Sequence, residues 1–186
     1  VVIIQGDVGN DNAHNIHQGN LDGLAKYPQV TVVLDQPSEM WSREKAQNIA
    51  EDALVQHDND IQAIIAANDD MAGGVAQALA SKDLTGKVIL VGGDGDRDAM
   101  DRINNGSQDA TVLQSFIELP ELALKIAVGL ARGELDIAAT YKKDVIAVDP
   151  PSDPVYRAPV PYVLISKDNI NVLEDYWNKI DELSAG

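Results

Sequence analysis

The residues best suited to chemistry in this 186-residue chain are amides and carboxylates that stand directly after short apolar runs. They are Asp7, Asn10, Asp11 and Asn12 after Val1–Gln5, Asn68 after Ile61–Ala67, Asp94 after Val88–Gly92 and Gln114 after Ala110–Leu113, while Trp41 occurs in the loop after Val30–Leu34. Amides and carboxylates supply donors and acceptors for a ligand with several hydroxyl groups. An indole face suits the apolar side of a sugar ring.

Each of these residues, taken alone, is explained more simply as part of a turn or a helix cap. Asn and Asp favour such positions because their side chains bond nearby backbone groups. The stretch IIAANDDMAGGVAQAL (Ile64–Leu79) shows the ambiguity, since Asn68 ends an apolar run and also begins a helical pattern. The same arrangement after four apolar runs, with an aromatic residue after a fifth, favours a ligand site.

The chain lacks the usual residue patterns of a catalytic site. It contains no cysteine and no serine in a G-x-S-x-G pattern. His14 and His17 lie three apart on a predicted helix, which allows a metal site, although ordinary polar helix residues are the simpler interpretation. In GGDGDRDAM, Asp98 stands where a dinucleotide fingerprint needs its third glycine. The sequence therefore predicts a binding protein without a cofactor, and not an enzyme.

The charge balance bears on the kind of partner. A net charge of −16 argues against a nucleic-acid surface, because phosphate binding requires clustered Lys and Arg. The simplest role of so many acidic residues is a solvated surface. No apolar stretch approaches 18 uninterrupted residues, so no membrane-spanning helix is predicted.

Short apolar strands alternate with helical patterns along the first 113 residues. The predicted strands are Val1–Gln5, Val30–Leu34, Ile61–Ala67, Val88–Gly92 and Ala110–Leu113, and the predicted helices are 12–26, 43–56 with Ser42 as N-cap, 71–81 and 98–104. Near-continuous apolar strands joined by helices indicate a parallel sheet covered on both faces. The predicted fold class is therefore α/β with a doubly wound parallel sheet, and its ligand crevice lies beyond the carboxyl ends of the strands.

The pattern changes after Leu113. A helix over 119–132 is predicted to present Leu122, Ile126 and Leu130 on one face. A strand over 144–148 and the proline-rich stretch DPPSDPVYRAPVP follow, and the proline density excludes a helix or a central strand there. The end of the chain predicts a short strand, a cap at Ser166 or Asp168, and a helix.

Several segments, in their order along the chain, resemble the carboxyl-terminal lobe of periplasmic sugar-binding proteins of the xylose- and ribose-binding type. These segments are VVIIQGDVGNDNAHNIHQG, DQPSEMW, AIIAANDDMAGGVAQAL, GKVILVGGDGDRDAMDRI, DATVLQS and VPYVLISKDNI. The group has the type I periplasmic binding fold, which the effector cores of bacterial repressors share. The resemblance implies three parts: the carboxyl-terminal sugar-binding lobe over 1–113, a crossing segment with part of the other lobe over 114–159, and a return strand with the closing helix over 160–186.

The resemblance also assigns roles to individual residues. It implies that Asn12 and Asn68 bond sugar hydroxyls, that Asp94 accepts from two neighbouring hydroxyls, and that Trp41 stacks on the ring. Gln114 stands where xylose-type members resemble one another in using Lys and ribose-type members in using Gln. Ile16 stands where many relatives place a sugar-binding Arg, so these two positions leave the identity of the sugar open. Gly73 and Gly74 are expected to let their helix pack closely against the sheet.

The function that this resemblance implies is uptake of a monosaccharide, most readily a pentose such as xylose. Such proteins lie outside the cytoplasm, free or lipid-anchored, close two lobes on the sugar by a hinge, and deliver it to an ABC-type permease. Relatives carry about 100–130 further residues before the first strand, so a missing amino-terminal lobe or a second chain is expected to complete the cleft. Three alternatives remain open: a sugar-responsive repressor core, the sensor domain of a receptor, and an enzyme on a similar sheet.

Overall fold

The computed structural model describes residues 1–140, 145–146, 155–156 and 162–185. Its central feature is a sheet of six strands, which are β1 (Val2–Gln5), β2 (Leu34–Pro37), β3 (Ala63–Ala66), β4 (Ile89–Val91), β5 (Ala110–Gln114) and β8 (Tyr162–Ser166). Across the sheet they lie in the order β2-β1-β3-β4-β5-β8. The pairs from β2 to β5 are parallel, which confirms the predicted fold class.

Helices connect the strands and cover the sheet. They are α1 (Asp11–Leu24), α2 (Arg43–Gln56), α3 (Asp69–Ser81), α4 (Arg97–Asn105), α5 (Glu118–Ala131), α6 (Ile137–Thr140) and α7 (Ile170–Ser184), with short 3₁₀ turns at Glu39–Trp41 and Lys167–Asn169. Ser42 caps α2 and Ser166 caps the turn before α7, both as predicted. No helix among the described ranges combines the length and the apolarity that crossing a bilayer requires.

Two clusters of buried apolar side chains hold these layers together. The larger cluster joins β1, β3 and β4 to α2 and α3 through fully buried residues such as Ile4, Leu54, Ile64 and Met71. Ala46, Ala50, Ala53 and Leu54 are the buried residues of α2, whereas Ile49 is only partly buried. The smaller cluster joins α4, β5, β8 and α7 through Ile103, Leu113, Ile165 and Leu173.

The prediction for the second strand was wrong in its position. The predicted run Val30–Leu34 overlaps the observed β2 only at Leu34. Leu34 pairs with Val2, the first residue of β1, so the preceding valines lie before the ladder begins. β2 is an edge strand, which is why it accepts Pro37 at its end.

The expected partner of Gly73 and Gly74 was also wrong. A Cβ atom at Gly73 would lie 2.8 Å from the guanidinium carbon of Arg43, and a Cβ atom at Gly74 would overlap the carbonyl oxygen of Arg43. The two glycines therefore allow α3 to approach the first turn of α2 and not the sheet. Helix–helix contact of this kind depends on tertiary packing, which the local sequence does not specify.

The chain forms two compact units, Val1–Leu113 with Val163–Gly186, and Gln114–Tyr162. The second unit contains α5, α6 and an antiparallel pair, β6 (Val145–Ile146) with β7 (Val155–Tyr156). The rest of the predicted 144–148 strand and most of the proline-rich stretch lie outside the described residues. No residue of α5 is buried: Leu122 and Ile126 are partly exposed and Leu130 is exposed.

Candidate functional site

The strand order places the candidate site at the carboxyl edge of the sheet. In the order 2-1-3-4-5 the direction of winding reverses between β1 and β3, and ligands of such sheets bind beyond the carboxyl ends of the strands at that point. Asn68 follows β3 by two residues and Asp94 follows β4 by three. Because β3 and β4 are parallel neighbours, both residues stand at the same edge.

Asn68 caps the helix that follows it. Its Oδ1 accepts a hydrogen bond of 3.0 Å from the backbone N–H of Met71, and its backbone is extended, as at an N-cap. This bond occupies the amide oxygen and leaves the Nδ2 group to donate to a ligand. The capping bond therefore uses one end of the amide, and a bond to a ligand would use the other end.

Asp94 adopts a backbone conformation that side-chain-bearing residues rarely use. Its φ angle is 98°, and that of Gly95 is 80°. For a residue other than glycine such a conformation costs about 1–3 kcal/mol and persists only where surrounding contacts enforce it. The N–H of Asp94 donates to the carbonyl of Val112 at 2.9 Å, which ties the segment to β5. Burial, followed by the charges of Asp96 and Asp69, raises the pKa of Asp94 to about 6.

The loop that carries Asp94 passes directly over the end of β3. A Cβ atom at Gly93 would lie 3.1 Å from the carbonyl oxygen of Ala67 and 3.9 Å from Cα of Asn68. The structure thus brings the Asn68 and Asp94 segments together. Gly95 is held from the other side, because the indole N–H of Trp177 donates to its carbonyl at 2.9 Å.

Asp69 is a buried carboxylate beneath this loop, and the sequence analysis missed it. Its Oδ2 accepts from the N–H groups of Gly95 and Asp96, each at 2.9 Å, and from the hydroxyl of Thr111 at 2.7 Å. Its Oδ1 accepts from Nε2 of Gln108 at 2.9 Å. Burial raises the pKa of Asp69, while these four donors oppose that change by favouring the ionised form.

Trp41 lies at the end of β1. A Cβ atom at Gly6 would be 2.5–2.6 Å from three carbons of the indole, so only glycine allows the ring to lie against this part of the backbone. The ring is half-buried and packs against the larger apolar cluster. Both Met40 and Trp41 have positive φ angles, of 57° and 55°.

Asp7 fixes the turn that carries Trp41. Its carboxylate accepts from the N–H of Met40 at 2.6 Å and from the N–H of Gly9 at 2.8 Å. These two backbone bonds, that of Met40 first, lower the pKa of Asp7. Asp7 therefore connects the loop after β1 to the loop after β2.

The other two predicted residues occupy different surroundings. Asn12 is exposed in the first turn of α1, where its N–H donates to Oδ1 of the capping residue Asn10 at 2.8 Å. Gln114 is the last residue of β5 and the first residue of the second compact unit, and its side chain is half-buried. Asn12, Trp41, Asn68 and Asp94 thus share one unit, while Gln114 belongs to the other.

The two neighbouring histidines do not form a metal cluster. His17 approaches Asp35 of β2 at 2.8 Å, and His14 is exposed on α1. No group of three or more His, Cys, Asp or Glu side chains within the described ranges has a metal-binding arrangement.

A separate groove of about 350 Å³ lies between α2, α3 and α4 and contains none of the predicted residues. Arg43, Gly73, Gln77, Asp101 and Arg102 are among its lining residues. The side chains that line it come mainly from helices, and it is not the site that the sequence indicated.

Sequence reasoning missed the supporting residues because their partners are distant along the chain. Asp69 follows Asn68 directly, and an acidic residue there is also common simply because it suits the first turn of a helix. Gly6 follows the first strand, where a glycine is also common in turns. Asp7 is among the candidates that the sequence indicates after that strand, but its bond to Met40 in the loop after β2 is not a local signal. The adjacency of Asp69 to a predicted ligand residue was the one available signal.

Comparisons with known proteins agree on one family. A family profile described as "Periplasmic binding protein domain" matches residues 1–135. The chain is 37% identical over 161 residues to the D-xylose-binding periplasmic protein of Haemophilus influenzae, with 79% of this chain and 48% of that protein covered. It is 39% identical over 146 residues to the D-allose-binding periplasmic protein of Escherichia coli, with 76% and 46% covered.

The folded structure agrees with the sequence comparison. A solute-binding protein of an ABC transporter from Actinobacillus succinogenes, solved with bound D-allose, superposes with a TM-score of 0.75 at 28% identity. That match covers 92% of this chain and 54% of the other. The chain thus spans about half the length of these relatives, which are binding proteins and not enzymes. The sequence and the fold lead to one conclusion: the chain belongs to the periplasmic binding protein family and is similar to its sugar-binding members.

Proposed function

We propose that this chain is the sugar-binding lobe of an extracytoplasmic solute-binding protein and that it binds a monosaccharide, most readily a pentose such as D-xylose. The observation that carries the proposal is the approach of the Asp94 loop to Asn68 at the carboxyl edge of neighbouring strands. A carboxylate that only accepts and an amide that donates suit sugar hydroxyls, which do both. Neighbouring hydroxyls then form short, charge-assisted bonds to Asp94.

The remaining predicted residues complete the proposed site. Trp41 stacks on the apolar side of the ring with the part of its indole that Gly6 does not cover. Asn12, exposed at the start of α1, bonds a hydroxyl from the β1 side. Gln114 bonds the sugar from the segment that leaves β5.

The proposed physiological role is delivery of the sugar to a membrane permease of an ABC transporter. Hinge closure of this lobe on a second one, supplied by the rest of the protein or by another chain, encloses the ligand. The location is then the periplasm or another extracytoplasmic compartment. The names of the relatives support this role, because each is a periplasmic or transporter-associated binding protein.

Calorimetry on the complete gene product tests the proposal. D-xylose, D-ribose, D-allose and D-glucose are titrated into the wild type, into Asp94→Asn and into the control variant Asp98→Asn. Asp98 is the control position because it is exposed on the first turn of α4. At least one sugar is expected to bind to the wild type with a Kd of about 1 µM or lower. Asp94→Asn is expected to raise the Kd for that sugar by about tenfold to a hundredfold. Asp98→Asn should bind as the wild type does. Absence of binding with all four sugars, or full affinity in Asp94→Asn, contradicts the proposal.

A further inference from the structure

We propose that Asp69 is a positioning residue: its carboxylate fixes the loop Gly93–Asp96 and thereby holds Asp94 in the orientation that binds the ligand. The proposal rests on the sugar-binding function proposed above. Asp69 itself is fully buried, so it acts through the loop and not by contact with the sugar. Its role concerns the conformation that Asp94 adopts before any ligand arrives.

The bonds of Asp69 fall on the residues that follow Asp94. The N–H groups of Gly95 and Asp96 converge on the same oxygen, Oδ2, at 2.9 Å each. The N–H of Asp94 is bound separately, to the carbonyl of Val112. Three consecutive backbone N–H groups are therefore held, one by β5 and two by a single side chain.

This restraint explains how Asp94 keeps a positive φ angle. The energy of that conformation must be supplied by contacts around the residue, because an aspartate in isolation avoids it. Gly95 adds a second restriction, since a Cβ atom there would lie 2.6 Å from Cδ1 of Leu113. Without the Asp69 bonds, the loop loses its interactions on the side facing α3. The backbone of Asp94 can then move to a more favourable φ angle.

The network requires a group that only accepts hydrogen bonds. Gln108 donates from Nε2 to Asp69, while its Oε1 accepts from Nε of Arg102 at 2.8 Å, so the Gln108 amide cannot reverse. Asn at position 69 would therefore direct its N–H₂ group either at that of Gln108 or, with the amide reversed, at the N–H groups of Gly95 and Asp96. Glutamate at position 69 would be too long, because Gly92 packs directly against the carboxylate. Even a Cβ atom at Gly92 would overlap Oδ1 of Asp69. Aspartate is thus the side chain that satisfies all four donors.

The test compares Asp69→Asn with Asp70→Asn in the complete gene product. Asp70 is the next residue on α3, but its carboxylate is largely exposed and lies 3.5 Å from the guanidinium of Arg43. Thr111→Val is a milder second variant, because it keeps the shape, removes one donor to Asp69 and removes a longer bond, of 3.2 Å, that the hydroxyl accepts from the N–H of Gly95. The Asp96 amide, which donates to Asp69 and not to Thr111, is therefore the cleaner readout for this variant. Two properties are measured: hydrogen exchange of single amides by NMR, and calorimetric affinity for D-xylose and D-allose.

In Asp69→Asn, the Gly95 and Asp96 amides are expected to exchange about tenfold faster relative to the Ala67 amide, which bonds to Ile4 in the same sheet. The affinity for the sugar that binds is expected to fall by about tenfold or more. Thr111→Val should change both properties in the same direction by a smaller factor. Asp70→Asn should leave both within about twofold of the wild type.

Uniformly faster exchange of all three amides indicates a general loss of stability and overturns the proposal, as does an Asp69→Asn protein with unchanged affinity. If the wild type binds none of the sugars, the proposed function fails. The exchange rates of Gly95 and Asp96 still decide whether Asp69 positions the Asp94 loop.

Discussion

At the scale of the residue, Asp94 combines three features that are unfavourable for folding. It has a positive φ angle, it is half-buried, and it lies near the carboxylates of Asp96 and Asp69. None of these features stabilises the sugar-free protein, and the proposed role of Asp94 in presenting a carboxylate to a sugar accounts for each of them. Strained and electrostatically unfavourable residues of this kind are typical of functional sites.

We predict that Asp94→Asn stabilises the sugar-free protein at neutral pH while weakening sugar binding. Asn tolerates positive φ angles and carries no charge. The pKa of Asp94 in the folded state is about 6, above its ordinary value, so folding favours the protonated form. The free energy of unfolding contributed by Asp94 therefore increases as pH falls from about 7 to about 4, and the difference between the variants is largest at neutral pH.

Urea denaturation at several pH values measures this effect. After discounting for the solvent that reaches Asp94, Asp94→Asn is expected to be more stable by about 1–2 kcal/mol at pH 7, with the difference vanishing near pH 4. Sugar affinity of the wild type should follow the opposite trend and fall below about pH 6, since a protonated Asp94 loses acceptor strength. A variant less stable than the wild type at pH 7 contradicts the prediction.

At the scale of the element, the first turn of α3 combines a helix cap and a site residue. Asn68 lies between an apolar run and a helical pattern, so the sequence predicts it both as a helix cap and as a ligand residue. The boundaries of α2 and α4 also followed closely from the sequence, because caps and apolar spacing are local signals. The position of β2, the contact of Gly73 and Gly74 with α2, and the bonds of Asp69 did not, because each depends on residues distant in sequence.

Asn68→Ser separates the two roles of this position. Serine caps helices about as well as asparagine, so the free energy of unfolding is expected to stay within about 0.5 kcal/mol of the wild type. It lacks the Nδ2 donor, so sugar affinity is expected to fall by about tenfold. Asn68→Ala is the matched comparison, and it should lose about 1 kcal/mol of stability as well as the affinity. Urea denaturation measures the free energy of unfolding and calorimetry measures the sugar affinity. Wild-type affinity in Asn68→Ser would show that the amide only caps the helix.

At the scale of the whole molecule, the described residues of the two compact units differ in how completely they bury apolar side chains. The first unit contains both apolar clusters. In the second unit, α5 exposes Leu119 and Leu130 on one side and Leu124 and Val128 on the opposite side. A helix that is apolar on two sides is normally enclosed by other elements. We therefore expect another polypeptide, the missing lobe or a second chain, to cover α5.

We predict that the 186-residue chain by itself associates through α5. Leu124→Glu with Val128→Glu places two charges one turn apart on one exposed side and should make the chain monomeric, since burying each side chain is worth about 1.5–3 kcal/mol. Leu183→Glu on α7 is the control, because Leu183 is 63% exposed and Leu124 is 65% exposed. Sedimentation over a range of concentrations measures the association. A wild-type chain that stays monomeric throughout contradicts the prediction.

The sequence separation between Asp69 and its hydrogen-bond donors has a consequence for the order in which the protein folds. Asp69 precedes Gly95 by 26 residues, Gln108 by 39 and Thr111 by 42. During synthesis, a chain that ends before Thr111 holds this carboxylate without all of its donors, and burying it in that state is unfavourable. The Asp94 loop therefore takes its final conformation only after β5 has joined the sheet. We therefore expect the proposed binding geometry to form together with the completed sheet, and a chain that lacks β5 not to retain it.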